Sequence, residues 1–200
     1  CGVRWTGGAM NRAMSDTDAV HAAHAYLMSF AQGRANDDAL ACMLASNAQG
    51  HGALPLRLGL SAADHAHMID RHFPGACWST PQHDTHKPDP QREEERGELR
   101  RLLLVNCAGS DESERWIADI VTAACMGGDH LWQDLGLWAR TDLTELMRNN
   151  FPALAARNDR DMKWKKFLYK QLCVQEGIYT CRSPSCEVCP DYHACFGPED

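Results

Sequence analysis

Ala124-Cys125-Met126-Gly127-Gly128-Asp129-His130-Leu131-Trp132-Gln133-Asp134-Leu135-Gly136-Leu137 repeats, in outline, an earlier part of the same chain. The first copy runs from Ala41-Cys42-Met43 through His51 to Leu58-Gly59-Leu60, then a helical pattern and Phe73-Pro74. The second runs from Ala124-Cys125-Met126 through His130 to Leu135-Gly136-Leu137, then a helical pattern and Phe151-Pro152. Between the cysteine and Leu-Gly-Leu the first copy is six residues longer, while from Leu-Gly-Leu to Phe-Pro the two differ by one. A charged amphipathic helix follows each Phe-Pro, Glu93–Val105 in the first copy and Asp159–Val174 in the second. Three helices used twice predict an all-α fold: a helical bundle built as a pseudo-two-fold pair of three-helix units, with a C-terminal cysteine-rich loop.

The rest of the chain agrees with that class. Apolar residues recur at three and four in Asp16–Ala31, Asp37–Ser46, Ser61–His72, Ser113–Cys125 and Asp142–Asn149 as well. Ser61, Ser113 and Asp142 read as N-caps, Asp142 with Glu145 at capping spacing, and Gly33, Gly109 and Gly177 read as helix ends. Strand signals are nearly absent. The reading divides the chain into a disordered leader over 1–14, with Met10 or Met14 as a possible start, and one helical domain over 15–200. Within that domain 15–78 is the first half, 79–92 a polar linker with His83 and His86, 93–177 the second half and 178–200 the cysteine loop.

Two hundred residues suffice for one domain with a real core. No apolar run approaches a membrane span and no signal peptide is read, so the expected location is cytoplasmic, where clustered thiols more often hold metal than form bridges. A net charge of -7 argues against a nucleic-acid partner. Gly-rich phosphate loops, nucleophile elbows and paired His-Glu metalloprotease motifs are missing, so the chain is not expected to be an enzyme.

Four of the ten cysteines, Cys181, Cys186, Cys189 and Cys195, fall in the last twenty residues, spaced Cys-x4-Cys-x2-Cys-x5-Cys. Thiolates this close converge on one soft centre more readily than they pair, and Ser183-Pro184-Ser185 and Pro190-Asp191 supply the turns. Structural zinc and an iron–sulfur cubane both use four such ligands, and spacing alone does not choose between them. His193 lies inside the loop, where it could replace a thiolate or tune a cluster through a hydrogen bond. In the preceding helix Trp164, Phe167, Leu168 and Leu172 make a core face, while Lys163, Lys166, Lys170 and Cys173 share another that runs towards the cysteines. An anionic cluster or a tetrahedral oxyanion would be favoured beside those ammonium groups. His65 and His67, two apart, point to different faces; His21 and His24 lie together but read as packing. Cys42, Cys77 and Cys107 read as small buried residues.

The Ala124–Leu137 stretch, the run Asp161-Met-Lys-Trp-Lys-Lys-Phe-Leu-Tyr-Lys-Gln-Leu-Cys173, and Cys181-Arg-Ser-Pro-Ser-Cys-Glu-Val-Cys-Pro-Asp-Tyr-His-Ala-Cys-Phe-Gly197 together resemble the NifQ family of nitrogen-fixation proteins. The resemblance covers most of 93–200 and, more loosely, the first half. It implies a molybdenum carrier: an iron–sulfur cluster, [3Fe-4S] or [4Fe-4S], able to include molybdenum taken up as the metal or as molybdate, and donated for nitrogenase's iron–molybdenum cofactor. The implied partners are the cofactor-assembly scaffold and the nitrogenase iron protein.

Molybdenum prefers about six ligands, three of them cluster sulfides, so one cysteine leaves positions open. His130 is the first candidate for one of these, then Cys125 and Asp129, because the glycines of Cys125-Met-Gly-Gly-Asp-His130 let backbone approach an anion closely. Cys173 is a further candidate, as a spare thiolate during loading. Two other functions fit a four-cysteine loop: a small iron–sulfur electron carrier, and a helical interaction protein stapled by zinc.

Overall fold

The computed structural model describes residues 15–79 and 89–175; the leader, most of the linker and the cysteine loop lie outside the described residues. Helices α1 (Asp16–Met28), α2 (Asp37–Ala48), α3 (Ala62–His72), α4 (Glu93–Leu104), α5 (Ser113–Cys125), α6 (Leu131–Asp134), α7 (Arg140–Asn150), α8 (Pro152–Ala155) and α9 (Trp164–Gln175) follow in chain order. No β-strand forms among the described residues. The fold is all-α.

The two halves are built alike. The repeating unit differs from the one expected: by element order α1, α2 and α3 correspond to α4, α5 and α7, so Glu93–Leu104 answers to α1 and not to α9. Phe73 and Phe151 are both fully buried, cap α3 and α7 with nearly the same backbone angles (φ -132 in each), and donate their N–H groups back to Ile69 and Met147. The halves also touch reciprocally. A Cβ on Gly59 would lie 2.9 Å from Ala123 Cβ on α5, and one on Gly136 would lie 2.6 Å from Ser46 Cβ on α2. Both glycines have left-handed backbone, φ +84 and +72, so the turn and the close approach each demand glycine. Ser46 Oγ donates to Gly136 O at 2.6 Å.

Polar side chains join the halves where α2 and α5 begin. Asn36, 3 % exposed, donates to Ser113 Oγ at 2.8 Å and to Asn150 Oδ1 at 2.7 Å, and accepts from Asn150 Nδ2 at 2.9 Å. Beside it, buried His72 pairs through Nδ1 with Asp37 at 2.6 Å, while Asp37 accepts the Gln32 and Arg34 N–H groups. Glu114 does the same for the second half, collecting the N–H groups of Gly109, Ser110 and Asp111. A buried acid thus folds the loop before each central helix onto that helix's start.

Two further sequence expectations need correction. The Ala-Cys-Met triplets are not equivalent: Cys42 lies in mid-α2, Cys125 is the last residue of α5, and the residue matching Cys125 at the end of α2 is Ala48. The apparent six-residue insertion is a register slip between two Ala-rich helices, whereas the glycines and phenylalanines, which have one permitted place each, keep the true spacing. Ser113 and Asp142 are not N-caps. Ser113 lies inside α5 and serves Asn36, and Asp142 sits in the first turn of α7, accepting the Ala139 N–H at 2.9 Å. Asp89 caps a short, largely exposed turn over Pro90–Arg92 that runs into α4.

Replacing Asn36 with alanine leaves the Asn150 amide buried without its partner and should cost about 2–3 kcal/mol, read as a lower denaturation midpoint at unchanged slope. His65 gives a pH signature. It is 7 % exposed, and burial, with Arg57 nearby, holds its imidazole at about 4. The unfolded chain takes up this proton first, so His65 contributes fully above pH 6.5 and its contribution is lost as pH falls towards 4. A His65→Leu variant should flatten the melting temperature between pH 6.5 and 4, by up to about 3 kcal/mol of stability.

Candidate functional site

Helix α9 is the described element that precedes the cysteine segment in the sequence. The expected core face is observed, Trp164, Phe167, Leu168 and Leu172 all being buried. Two polar residues one turn apart, Lys165 and Tyr169, lie beside it and reach inwards.

They meet the C-terminal end of α5. The last carbonyls of a helix have no partner within it and favour positive charge. Here Arg92 Nη1 donates to Met126 O and Lys165 Nζ to Gly127 O, each at 2.9 Å. Lys165 also pairs with the buried Asp134 carboxylate of α6. Arg92 holds Glu95 through two bonds, 2.9 and 2.6 Å, and Tyr169 OH donates to Glu95 while accepting from Arg92 at 3.2 Å. Gly127 makes room for this: a Cβ there would lie 2.5 Å from the Asp134 carboxyl carbon and 2.6 Å from Ala53 Cβ.

Cys125 lies fully buried among these groups. Burial pushes its thiol up to about 12, with Lys165 and Arg92 pulling down and Asp134 and Glu95 pushing up. Burial thus disfavours its thiolate form. Burial likewise raises the Asp134 carboxyl above its ordinary range by more than Lys165 lowers it, and keeps Tyr169 a neutral phenol. The charges therefore serve each other rather than solvent.

The expected residues are distributed as follows. Asp129 is exposed and His130 half-buried at the start of α6, on the loop that leaves Cys125. Asp129 N–H donates to Asp134 at 3.4 Å, tying that loop to the buried pair. Lys163 and Lys166 are half-buried, Lys170 is exposed and Cys173 half-buried. Cys42 is buried as expected, but Cys77 and Cys107 are only half-buried. His21 and His24 lie together as expected, both against the Trp138 ring at 4.7 and 4.8 Å, with His24 Nε2 3.0 Å from Asp38. Trp138 and Cys42 also line a cleft of about 230 Å³ with Asp38, Asp142 and Glu145. Among the described residues no three His, Cys, Asp or Glu side chains are grouped to hold a metal, so Cys125, Asp129 and His130 do not make such a centre by themselves. Cys181, Cys186, Cys189, Cys195 and His193 lie outside the described residues.

Sequence reasoning missed Lys165, Tyr169, Arg92, Glu95 and Asp134. The signal was the spacing 165, 168, 169, 172, which flanks the core face of α9; the neighbouring lysines drew attention to the opposite side.

The NifQ family model matches residues 39–197, through α9 and all four C-terminal cysteines. The chain belongs to the NifQ family. It is 48 % identical over 176 residues to Protein NifQ of Azotobacter vinelandii, covering 83 % of this chain and 90 % of that one. Against Protein NifQ of Rhodobacter capsulatus it is 40 % identical, over 76 % of this chain and 82 % of that one. Against Protein NifQ of Klebsiella pneumoniae the identity is 37 %, over 74 % and 90 %. No solved structure matches the chain. Membership of this nitrogen-fixation family agrees with the resemblance read from the sequence. None of the described helices is long and apolar enough to cross a membrane.

Gly127→Ala tests the packing of the buried pair. The added methyl must displace the Asp134 carboxylate or Ala53, so we expect a loss of about 1–3 kcal/mol in chemical denaturation, whereas Gly128→Ala, with open space at its Cβ, should change little.

Proposed function

We propose that the chain carries molybdenum: Cys181, Cys186, Cys189 and Cys195 hold an iron–sulfur cluster that accepts molybdenum and gives it up for the iron–molybdenum cofactor of nitrogenase. The observation that carries this reading is that the NifQ match extends to residue 197 and so includes the complete cysteine run. Soft thiolates suit iron–sulfur clusters, so the donor set fits.

The cluster supplies sulfide ligands for the cargo metal. The protein supplies the rest. Exposed Asp129 and half-buried His130, on the loop after α5, serve as exchangeable oxygen or nitrogen ligands from the body. Lys163, Lys166 and Lys170 balance the negative charge of a thiolate-bound cluster or of molybdate, and Cys173 is a spare thiol upstream of the run. Cys125 enters only if loading opens the end of α5, because a buried thiol must first lose its proton. Delivery goes to the cofactor-assembly scaffold and the nitrogenase iron protein, in the cytoplasm, where thiols stay reduced. No bond in an organic substrate is made or broken, so the role is a carrier's rather than an enzyme's.

Metal and acid-labile sulfide analysis tests this on protein purified without oxygen from cells supplied with molybdate. Iron and sulfide with substoichiometric molybdenum are expected, and Cys186→Ala or Cys189→Ala should lower all three at least fivefold. One zinc per chain without sulfide would overturn the reading in favour of a structural staple. Iron and sulfide that never take up molybdenum would overturn it in favour of electron transfer.

A further inference from the structure

We propose that the cleft between α2 and α7 is a docking site for an arginine side chain of a protein partner. Such docking does not depend on what the cysteine segment carries. The cleft lies where the halves meet, encloses about 230 Å³, and is lined by the acids Asp38, Asp142 and Glu145. Trp138, 44 % exposed, also lines it, its ring backed by those of His21 and His24. Among the described residues no Lys or Arg pairs with any of the three acids. Asp38 meets His24, Asp142 accepts from the Ala139 N–H and the Thr141 hydroxyl, and the exposed Glu145 has no partner among them.

The duplication shows what such a groove takes. Matching Ala48 with Cys125 and Phe73 with Phe151 makes the groove between α5 and α3 its counterpart, with Trp116 for Ala39, Asp119 for Cys42, Asp64 for Asp142 and Arg71 for Asn149. That groove is filled from within. Trp116, 5 % exposed, meets the His67 ring edge-on at 5.2 Å, and Arg71 donates to Asp111 at 2.9 Å. Arg100 of α4 pairs with Asp119 and lies in the field of Asp64. Aligning the ends of α1 and α4 puts His24 where Arg100 stands. The α2–α7 cleft therefore has a methyl for the tryptophan ring, an asparagine for one guanidinium and a shorter imidazole for the other. It keeps the acid that answers to Asp64, and carries Asp38 and Glu145 where the counterpart has Arg115 and His67.

The cleft thus lacks the cation that its counterpart supplies for itself. A guanidinium pairs with carboxylates through a planar fork and stacks on an aromatic face, and the three acids and Trp138 offer both. Its stem has Ala39 and Leu146 to lie along. The floor carries the same sign: burial, with the fields of Asp38 and Asp142, pushes the Cys42 thiol up to about 12. A side chain within a protein suits this cleft better than free arginine, whose α-carboxylate the acids repel. No three donors among the described residues are grouped for a metal ion there.

Two-dimensional amide NMR of the full chain tests this, with three probes: a blocked Gly-Gly-Arg-Gly-Gly peptide, the same peptide with neutral citrulline for arginine, and free arginine. The arginine peptide should shift the Trp138 indole signal and the amides of 36–42 and 142–149 saturably. The citrulline peptide should bind about tenfold more weakly, and free arginine about threefold more weakly. Glu145→Gln should weaken the arginine peptide about fivefold. Glu145→Lys, which brings its own ammonium, and Ala39→Trp, which restores the counterpart's ring, should abolish the shifts. If Ala39→Trp does not fold, the exposed Glu145→Lys decides alone. Equal binding of the citrulline peptide, or no effect of Glu145→Lys, would overturn the site. Free arginine binding as tightly as the peptide would overturn the protein partner in favour of a small ligand. No shift in wild type would also overturn it, whether the cleft stays empty or holds an arginine of this chain from outside the described residues. Each of these outcomes leaves the carrier reading standing, since none involves the cysteines.

Discussion

Two carbonyls at the end of α5, those of Met126 and Gly127, impose the constraint around which the second half is arranged. A helix cannot end inside a protein with its last acceptors unpaired. Arg92 and Lys165 satisfy them from opposite ends of the half, one from the turn before α4 and the other from the last helix. Each cation brings its own counter-charge, the half-buried Glu95 for Arg92 and the buried Asp134 for Lys165, and Tyr169 links α9 to the first of these. Four separate elements are thereby committed to one small volume with Cys125 at its centre. None of these charges could be removed singly without leaving another stranded, a loss that typically runs to several kcal/mol.

The duplicated architecture supplies the frame, and the copies have diverged where it matters. The reciprocal contacts of Gly59 with Ala123 and of Gly136 with Ser46 tie the halves together by like parts. The position matching Cys125 in the first copy is Ala48, and the turn matching α6 is formed by Leu56–Gly59, with Arg57 and Leu58 in left-handed backbone instead of a right-handed helix. The Arg92–Glu95 and Lys165–Asp134 pairs gather at the end of α5, in the part of the chain that continues into the cysteines. The first copy serves as its support.

Much of this was legible in the sequence because it follows from periodicity. Seven helical patterns correspond to the seven longer helices among the described residues, and Phe73 and Phe151 mark equivalent ends, since a large ring has few places to go in a small bundle. The short helices α6 and α8 left no pattern, being only one turn long. Register was less secure: Ala-rich helices look alike under a six-residue slip, and cysteine in such a helix is as easily core as function. The buried ions were hidden by their chemistry. Lys165 sits between other lysines and is set apart only by its place beside the core face of α9, while its partner carboxylate lies 31 positions away in the sequence. The four terminal cysteines stood out for the opposite reason, since their spacing carries its chemical meaning without reference to the fold.

Crystallography of the molybdenum-loaded protein with anomalous data at the molybdenum edge would locate the cargo without assumption. The molybdenum peak should lie within bonding distance of the Cys181–Cys195 run at the exit of α9, with Lys165 still on Asp134. A peak in the cleft between Asp38, Cys42 and Asp142, with no cysteine of that run beside it, would contradict the assignment of the cysteine segment as the carrier.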